Sequence, residues 1–231
     1  MNALHCLAEG FSWLLRPGIR RFIFIPLLIN CMLFSVGSYT AFHYGNIWIH
    51  YFLPQWLAWL HWLLYPLIAI TLVIVIFYTF SLVANLIAAP FNSLLAEAVE
   101  KMETGNLTAI QQPLWQEIVT SVGQEIHKIL YFLSLAIPTF IIGLILPPFA
   151  PIIWFCYSAW CAALQYMDYP MTNHGIAFRK QRQLLRARRI DSLGYGGIVT
   201  FMTTIPLLNL IAMPVSVIAA TLYYCRHIRH S

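Results

Sequence analysis

The sequence predicts an all-α integral membrane protein, and three observations predict it. Of its 231 residues 60% are hydrophobic and 9% charged, with a mean hydropathy of +0.73, whereas soluble domains carry about 25% charged residues. No Asp, Glu, Lys or Arg occurs from Phe22 to Ala96, a stretch that holds two helices of spanning length. The later apolar segments come in pairs joined by proline-rich turns. The expected architecture is a single membrane domain over 1–231. It has an N-terminal amphipathic helix, two long transmembrane helices and two pairs of short, hemi-penetrating helical hairpins.

The elements follow in chain order. Over 1–16, Leu4, Leu7, Ala8, Phe11, Leu14 and Leu15 recur at helical spacing, with His5, Glu9 and Ser12 opposite. That pattern predicts an amphipathic helix lying in the membrane interface. Residues 2–15 carry no basic charge and no small-residue cleavage site, so a signal peptide is not expected. The first span is placed at 22–42, about 30 Å long, and the second at 63–89, about 40 Å and long enough to tilt. Between them 43–62 reads as a loop whose Trp48, Trp56, Trp59 and Trp62 form an interfacial aromatic belt. Pro90 ends the second span, and Asn92 or Ser93 caps a cytoplasmic helical segment that covers 97–128.

A hairpin is expected over 129–167. Its limbs, 129–146 and 152–167, are short for spans, and Pro147-Pro148-Phe149-Ala150-Pro151 joins them. A second is expected over 198–225, with Pro206 inside its first limb and its turn at Met213-Pro214. Backbone at membrane depth must be hydrogen-bonded internally or line a cavity. The hairpins either turn back part-way or are ordinary hairpins with short external loops, and periodicity alone does not separate the two. Between them 171–192 forms a basic cytoplasmic helix with Arg179, Arg182, Arg186 and Arg189 near one face, suited to orientation and anionic-lipid contact. Gly194-Tyr195-Gly196-Gly197 reads as a flexible helix entry.

With this layout all charges, 13 Lys and Arg and 8 Asp and Glu, fall on one side of the bilayer. The positive-inside rule makes that side the cytoplasm. The net charge of +5 then speaks of orientation and anionic lipid. Nucleic-acid binding is excluded as a reading, because no basic segment sits in a soluble fold.

Motifs for chemistry are few. The five cysteines, Cys6, Cys31, Cys156, Cys161 and Cys225, are odd in number and form no CxxC, so they read as apolar packing residues. His43 and His50 lie in the predicted loop and His227 and His230 on a terminal tail, so no metal site is expected. There is no P-loop, GxSxG or HExxH, hence no cofactor and no enzyme. The informative segment is Arg16-Pro17-Gly18-Ile19-Arg20-Arg21. Pro-Gly breaks the first helix, and the next begins near Ile19 with unpaired amides and a dipole that favours an anion. Arg20 and Arg21 sit where a cation is disfavoured unless an anion lies between them. Paired guanidinium donors suit a tetrahedral oxyanion such as sulfate or phosphate. The same arginines also fit a topogenic cluster touching lipid headgroups, and both readings stand on the residues alone. A polar permeation path is sought in Asn85, Asn92, Glu97, Asp168 and Asn209. Asp168 is expected to pair with an arginine at the cytoplasmic rim, and Asn209 to face the interior because a polar side chain in lipid is costly.

Three segments carry a resemblance to a known family: RPGIRRFIFIPLLIN at 16–30, NLIAAPFNSLLAEAVE at 85–100 and SAWCAALQYMDYPMTNHGIAFRKQR at 158–182. The chain resembles the CysZ sulfate permeases of bacterial inner membranes, collinearly over nearly its whole length. The resemblance implies sulfate import for assimilatory reduction and cysteine biosynthesis, by two spans plus two hemi-penetrating helix pairs in a homo-oligomer. Sulfite is the implied competitor. It also implies that the family's Gly-Leu-Arg-Arg sulfate turn is here Gly18-Ile19-Arg20-Arg21, with Ile in place of Leu. Sulfate would then be held by the Ile19 and Arg20 amides and both guanidinium groups. The alternative class is a membrane scaffold or an anionic-lipid-binding accessory protein. One tension stands: the charge count puts this turn inside, whereas a capture site for incoming sulfate belongs outside.

Overall fold

Helix is the only regular structure among the described residues, as a chain this apolar requires if its backbone is to be satisfied in lipid. The structure, a computed structural model, describes residues 3–52, 62, 66–67, 70–71, 74, 91–105 and 114–229, of which 30, 41–42, 44–52, 114–124, 206–207 and 210 are described by backbone alone. The helices are α1 (Ala3–Trp13), α2 (Arg20–Phe52), α3 (over 91–104), α4 (Leu114–Ile145), α5 (Ala150–Asn173), α6 (Phe178–Ala187), α7 (Arg189–Thr204) and α8 (Pro206–Tyr223). Among the described residues four stretches are long and apolar enough to cross a membrane: Arg20–Thr40, Glu125–Ile145, Pro147–Asn173 and Ile211–Ile228. The chain divides into two compact units, Met1–Arg20 with Asn92–Ser231, and Arg21–Phe91.

In the second unit α2 runs through 43–52, where the sequence predicted a loop. A lone Gly45 does not stop a helix, and after Pro26 the next proline is Pro54, just beyond the helix end. At 33 residues α2 is about 50 Å long and outreaches a hydrocarbon core. The predicted span 63–89 lies outside the described residues except at 66–67, 70–71 and 74, which are helical. Trp48, Trp56 and Trp59 of the predicted belt also lie outside the described side chains, and Trp62 is exposed.

The core of the first unit is α8. Ala212, Val215, Val217, Ile218, Ala219, Ala220 and Leu222 are fully buried, the all-round apolar helix of a protein interior. Around it pack α1, α5 and α7. The Tyr195 hydroxyl of α7 donates to the Ser216 carbonyl at 2.7 Å inside this core. α1 approaches α8 closely at Gly10: Ala3, Cys6, Leu7, Gly10 and Trp13 are buried, and a Cβ at Gly10 would stand 3.0 Å from the Val215 carbonyl. The predicted apolar face of α1 is thus divided. Leu7 and the larger Trp13 go inward, while Leu4, Phe11 and Leu15 remain exposed, so which side of α1 meets α7 and α8, and not side-chain size, sets its buried face.

Three further boundaries differ from expectation. The second hairpin turns at Ile205, and Pro206 opens α8 while Pro214 lies inside it. Proline suits the first helical turn, where its missing N–H has no partner to lose. The basic helix breaks at Arg188, so Arg189 begins α7 and leaves the face shared by Arg179, Arg182 and Arg186. Gly194-Tyr195-Gly196-Gly197 is no flexible entry but the middle of α7, where a Cβ at Gly196 would fall on the Ala159 carbonyl of α5. The first hairpin turns at Pro147–Phe149, between α4 and α5, and α4 extends back without interruption to Leu114.

Candidate functional site

The Arg-rich turn is built by a break and a restart. α1 ends at Trp13, and Gly18 takes φ +95°, a conformation open to glycine and strained for other residues. Its Cα packs on α3: an added Cβ would meet Met102 Cε at 2.9 Å. Ile19 is fully buried and pins the turn, while Arg16, Arg20 and Arg21 are exposed. The Arg16 guanidinium lies 3.7 Å over the Trp13 ring, and that of Arg21 lies 4.7 Å over Phe22. The Ile19 N–H donates to the Arg16 carbonyl at 3.1 Å and the Arg20 N–H reaches the same oxygen at 3.5 Å. The two amides that the resemblance assigns to sulfate are therefore turned to the chain itself. What the turn presents outward is guanidinium: three arginines within six residues, two of them opening α2, where the helix dipole draws an anion.

The sequence-predicted path residues separate. Asn85 lies outside the described residues. Asn92 is buried inside α3 rather than capping it, and its amide donates to the Tyr169 hydroxyl and to Met213 sulfur, both at 3.3 Å. Beside it the Asn173 amide donates to the Ser93 carbonyl at 3.0 Å. Glu97 is half-buried on α3. Asn209 is exposed near the start of α8 instead of facing the interior. Its position follows from the turn at Ile205, which places it at the hairpin tip.

Asp168 pairs with a lysine, not with an arginine. Lys128 Nζ lies 2.8 Å from Asp168 and 2.7 Å from Glu125, and only 3% of Lys128 is exposed. The other Asp168 oxygen accepts from Thr172 at 2.7 Å and from the buried Gln181 amide at 2.9 Å. The cluster ties α4, α5 and α6 together where α4 passes from polar to apolar. A second network joins the chain's distant parts. Arg226 donates to Glu9 and Glu103, both at 2.6 Å. The buried Glu100 receives Arg229 at 3.2 Å and faces His174 Nε2 at 2.9 Å. Hydrogen bonds from Arg226 hold the Glu9 carboxyl below its ordinary range. His227 is part of a π-helical turn, Tyr224–Ile228, with its ring 4.9 Å from Tyr223, not part of a loose tail.

Sequence reasoning missed Lys128, Gln181, Glu100, His174 and Arg226 as partners. Two signals were present: Lys128 stands three residues after Glu125 at the head of an apolar helix, a helical ion-pair spacing. Gln181 also falls in register with Phe178 and Leu185, which places it on the buried face. The long-range pairs left no local trace.

The polar groups of the first unit thus form two networks, one joining α4, α5 and α6 around Asp168 and the other joining α1, α3, α5 and the C-terminal turn around Glu100 and Arg226. Comparison with known proteins agrees with the motif resemblance. A family model described as Sulfate transporter CysZ/Etoposide-induced protein 2.4 matches residues 6–214. A relative from Vibrio parahaemolyticus serotype O3:K6 (strain RIMD 2210633), named Sulfate transporter CysZ, is 39% identical over 234 residues, covering 96% of this chain and 93% of its own length. The chain therefore belongs to the Sulfate transporter CysZ/Etoposide-induced protein 2.4 family.

Proposed function

We propose that this protein carries sulfate across the bacterial inner membrane as a multi-pass transporter, supplying assimilatory reduction and cysteine biosynthesis. The observation that carries the reading is the near full-length likeness to a relative named Sulfate transporter CysZ; the resemblance of Gly18-Ile19-Arg20-Arg21 to the family's Gly-Leu-Arg-Arg turn supports it. Sulfate binds first to the Arg20 and Arg21 side chains. The Ile19 and Arg20 amides join only if the ion displaces the Arg16 carbonyl that they now face. No nucleotide-binding loop occurs in the sequence, so the driving force is an ion gradient or the metabolic removal of sulfate. The protein acts as a homo-oligomer, with sulfite as a competitor.

The first hairpin enters the membrane and returns. Its turn can lie in hydrocarbon because it has almost no donors to satisfy: Pro147, Pro148 and Pro151 have no N–H. The Leu146, Phe149 and Ala150 amides bond Ile142, Leu146 and Pro147 carbonyls. No polar side chain marks the turn as a far interface. The apolar part of α4, Glu125–Ile145, has 21 residues, about 31 Å, so a returning hairpin lies steeply tilted.

Reconstituted protein with labelled sulfate tests the assignment. The Arg20→Ala, Arg21→Ala double variant is expected to lose at least about 90% of uptake, since charge-assisted bonds of about 1.5–3 kcal/mol each are removed. Full uptake by that variant would sink the assigned site. A competing reading, a lipid-binding accessory protein, draws on the basic α6 and predicts no sulfate flux in liposomes at all.

A further inference from the structure

We infer that α6 seats the phosphate of an anionic phospholipid whose acyl chains run down the exposed face of α4. α6 carries Arg179, Lys180, Arg182 and Arg186 and no acidic residue. It turns Phe178, Gln181 and Leu185 inward. At 3.6 residues per turn Arg182, Arg186 and Arg179 then fall within a stripe about 60° wide along one flank. That flank faces α4: the Arg182 guanidinium lies 4.4 Å from the Tyr131 ring centre, and Arg186 Nη2 donates to the Tyr131 hydroxyl at 3.3 Å. Among the described residues none of the three arginines meets a carboxylate within ion-pair distance.

Tyr131 fixes the depth. Trp160 Nε1 also donates to its hydroxyl, at 3.0 Å, so a Tyr–Trp pair holds its polar ends together at this level, the pattern of a membrane interface. On one side of Tyr131 along α4 stand Glu125 and Lys128. On the other, Pro138, Ile141, Ile142 and Ile145 continue Tyr131's side of α4 at 3.6 residues per turn and are exposed, and the exposed hydroxyl there, Ser134, is folded back on the Tyr131 carbonyl. A free phosphate could use only the guanidinium groups. A phospholipid uses both features at once, with phosphate oxygens on the weakly hydrated arginine forks and chains on the apolar face. The seat is separate from the Gly18–Arg21 turn and does not depend on sulfate transport.

Thermal unfolding of the detergent-purified full-length protein tests this, with added phosphatidylglycerol, phosphatidylcholine or inorganic phosphate. Phosphatidylglycerol is expected to raise the midpoint, and the other two are not. In the Arg179→Gln, Arg186→Gln variant the apparent affinity for phosphatidylglycerol is expected to fall about 30-fold, roughly fivefold per basic side chain. The Arg179→Lys, Arg186→Lys variant keeps the charge and most of the preference. Both residues are exposed, and Arg182 stays in place against its rings. Equal stabilisation by phosphatidylcholine, or an unchanged response in the glutamine variant, overturns the lipid seat. Equal stabilisation by inorganic phosphate overturns it in favour of a small-anion site.

Discussion

Single residues decide more here than composition predicts. Gly196 lets α5 and α7 touch backbone to backbone, so Gly196→Ala must push the Ala159 carbonyl and its helix aside. The expected cost is about 3 kcal/mol, the upper range for overpacking. Gly197→Ala, which meets only the Phe155 ring at 3.6 Å, is expected to be tolerated. Thermal unfolding of the two variants side by side checks the contrast, and equal midpoints would refute it. Lys128 is the second such residue. Lys128→Met leaves Asp168 facing only Thr172 and Gln181, at an expected loss of about 3 kcal/mol. Adding Asp168→Asn to it is expected to restore part of that loss, since the carboxylate that then remains, Glu125, is exposed to solvent. Neither role was legible in the sequence. Gly196 sits among other glycines, and of the two partners of Lys128 only Glu125 is near in sequence, while Asp168 lies 40 positions away.

At the scale of elements, helix existence was legible and helix ends were not. α2 ran past its predicted end because no proline intervenes before Pro54, and α8 began at Pro206 because proline opens helices more readily than it turns them. The Pro147–Phe149 turn fell where three prolines in five residues placed it. For this hairpin a labelling experiment gives a clear expectation. With the five native cysteines replaced, a Pro148→Cys protein in sealed vesicles should stay unreactive to an impermeant maleimide added on either face. A cysteine at Gly105, exposed just beyond α3, should react from one face only. Labelling of position 148 from the opposite face would mean that the hairpin crosses fully.

At the scale of the molecule, the clasp of Glu9, Arg226 and Glu103 joins the first helix to the last turn. The Glu9 carboxyl is held below its ordinary value of 4.5, chiefly by hydrogen bonds from Arg226. Its stabilisation is therefore complete above that ordinary value and is lost as pH falls through the depressed one. The wild type should lose more of its unfolding midpoint than Glu9→Gln between about pH 6 and about pH 3, and the two should converge in acid. A constant gap at all pH values would show that Glu9 acts by packing alone.

The sequence by itself determined the class. A chain with no charge from Phe22 to Ala96 can satisfy its backbone in lipid only as helix. Local chemistry likewise marked the Pro17-Gly18 break and the arginines after it, because Pro and Gly act through their own φ preferences. The tertiary structure alone decided which apolar helix became the core. α8 is no more apolar to the eye than α4, yet it is enclosed by α1, α5 and α7 while α4 keeps an exposed face. It also decided which charges meet, since Glu9 with Arg226 and Glu100 with Arg229 are pairings across most of the chain. Periodicity reports which face of a helix is apolar. It carries no record of what that face will touch, and in a protein apolar on nearly every face, contact is settled by the fit of small residues and the few buried charges that must find each other.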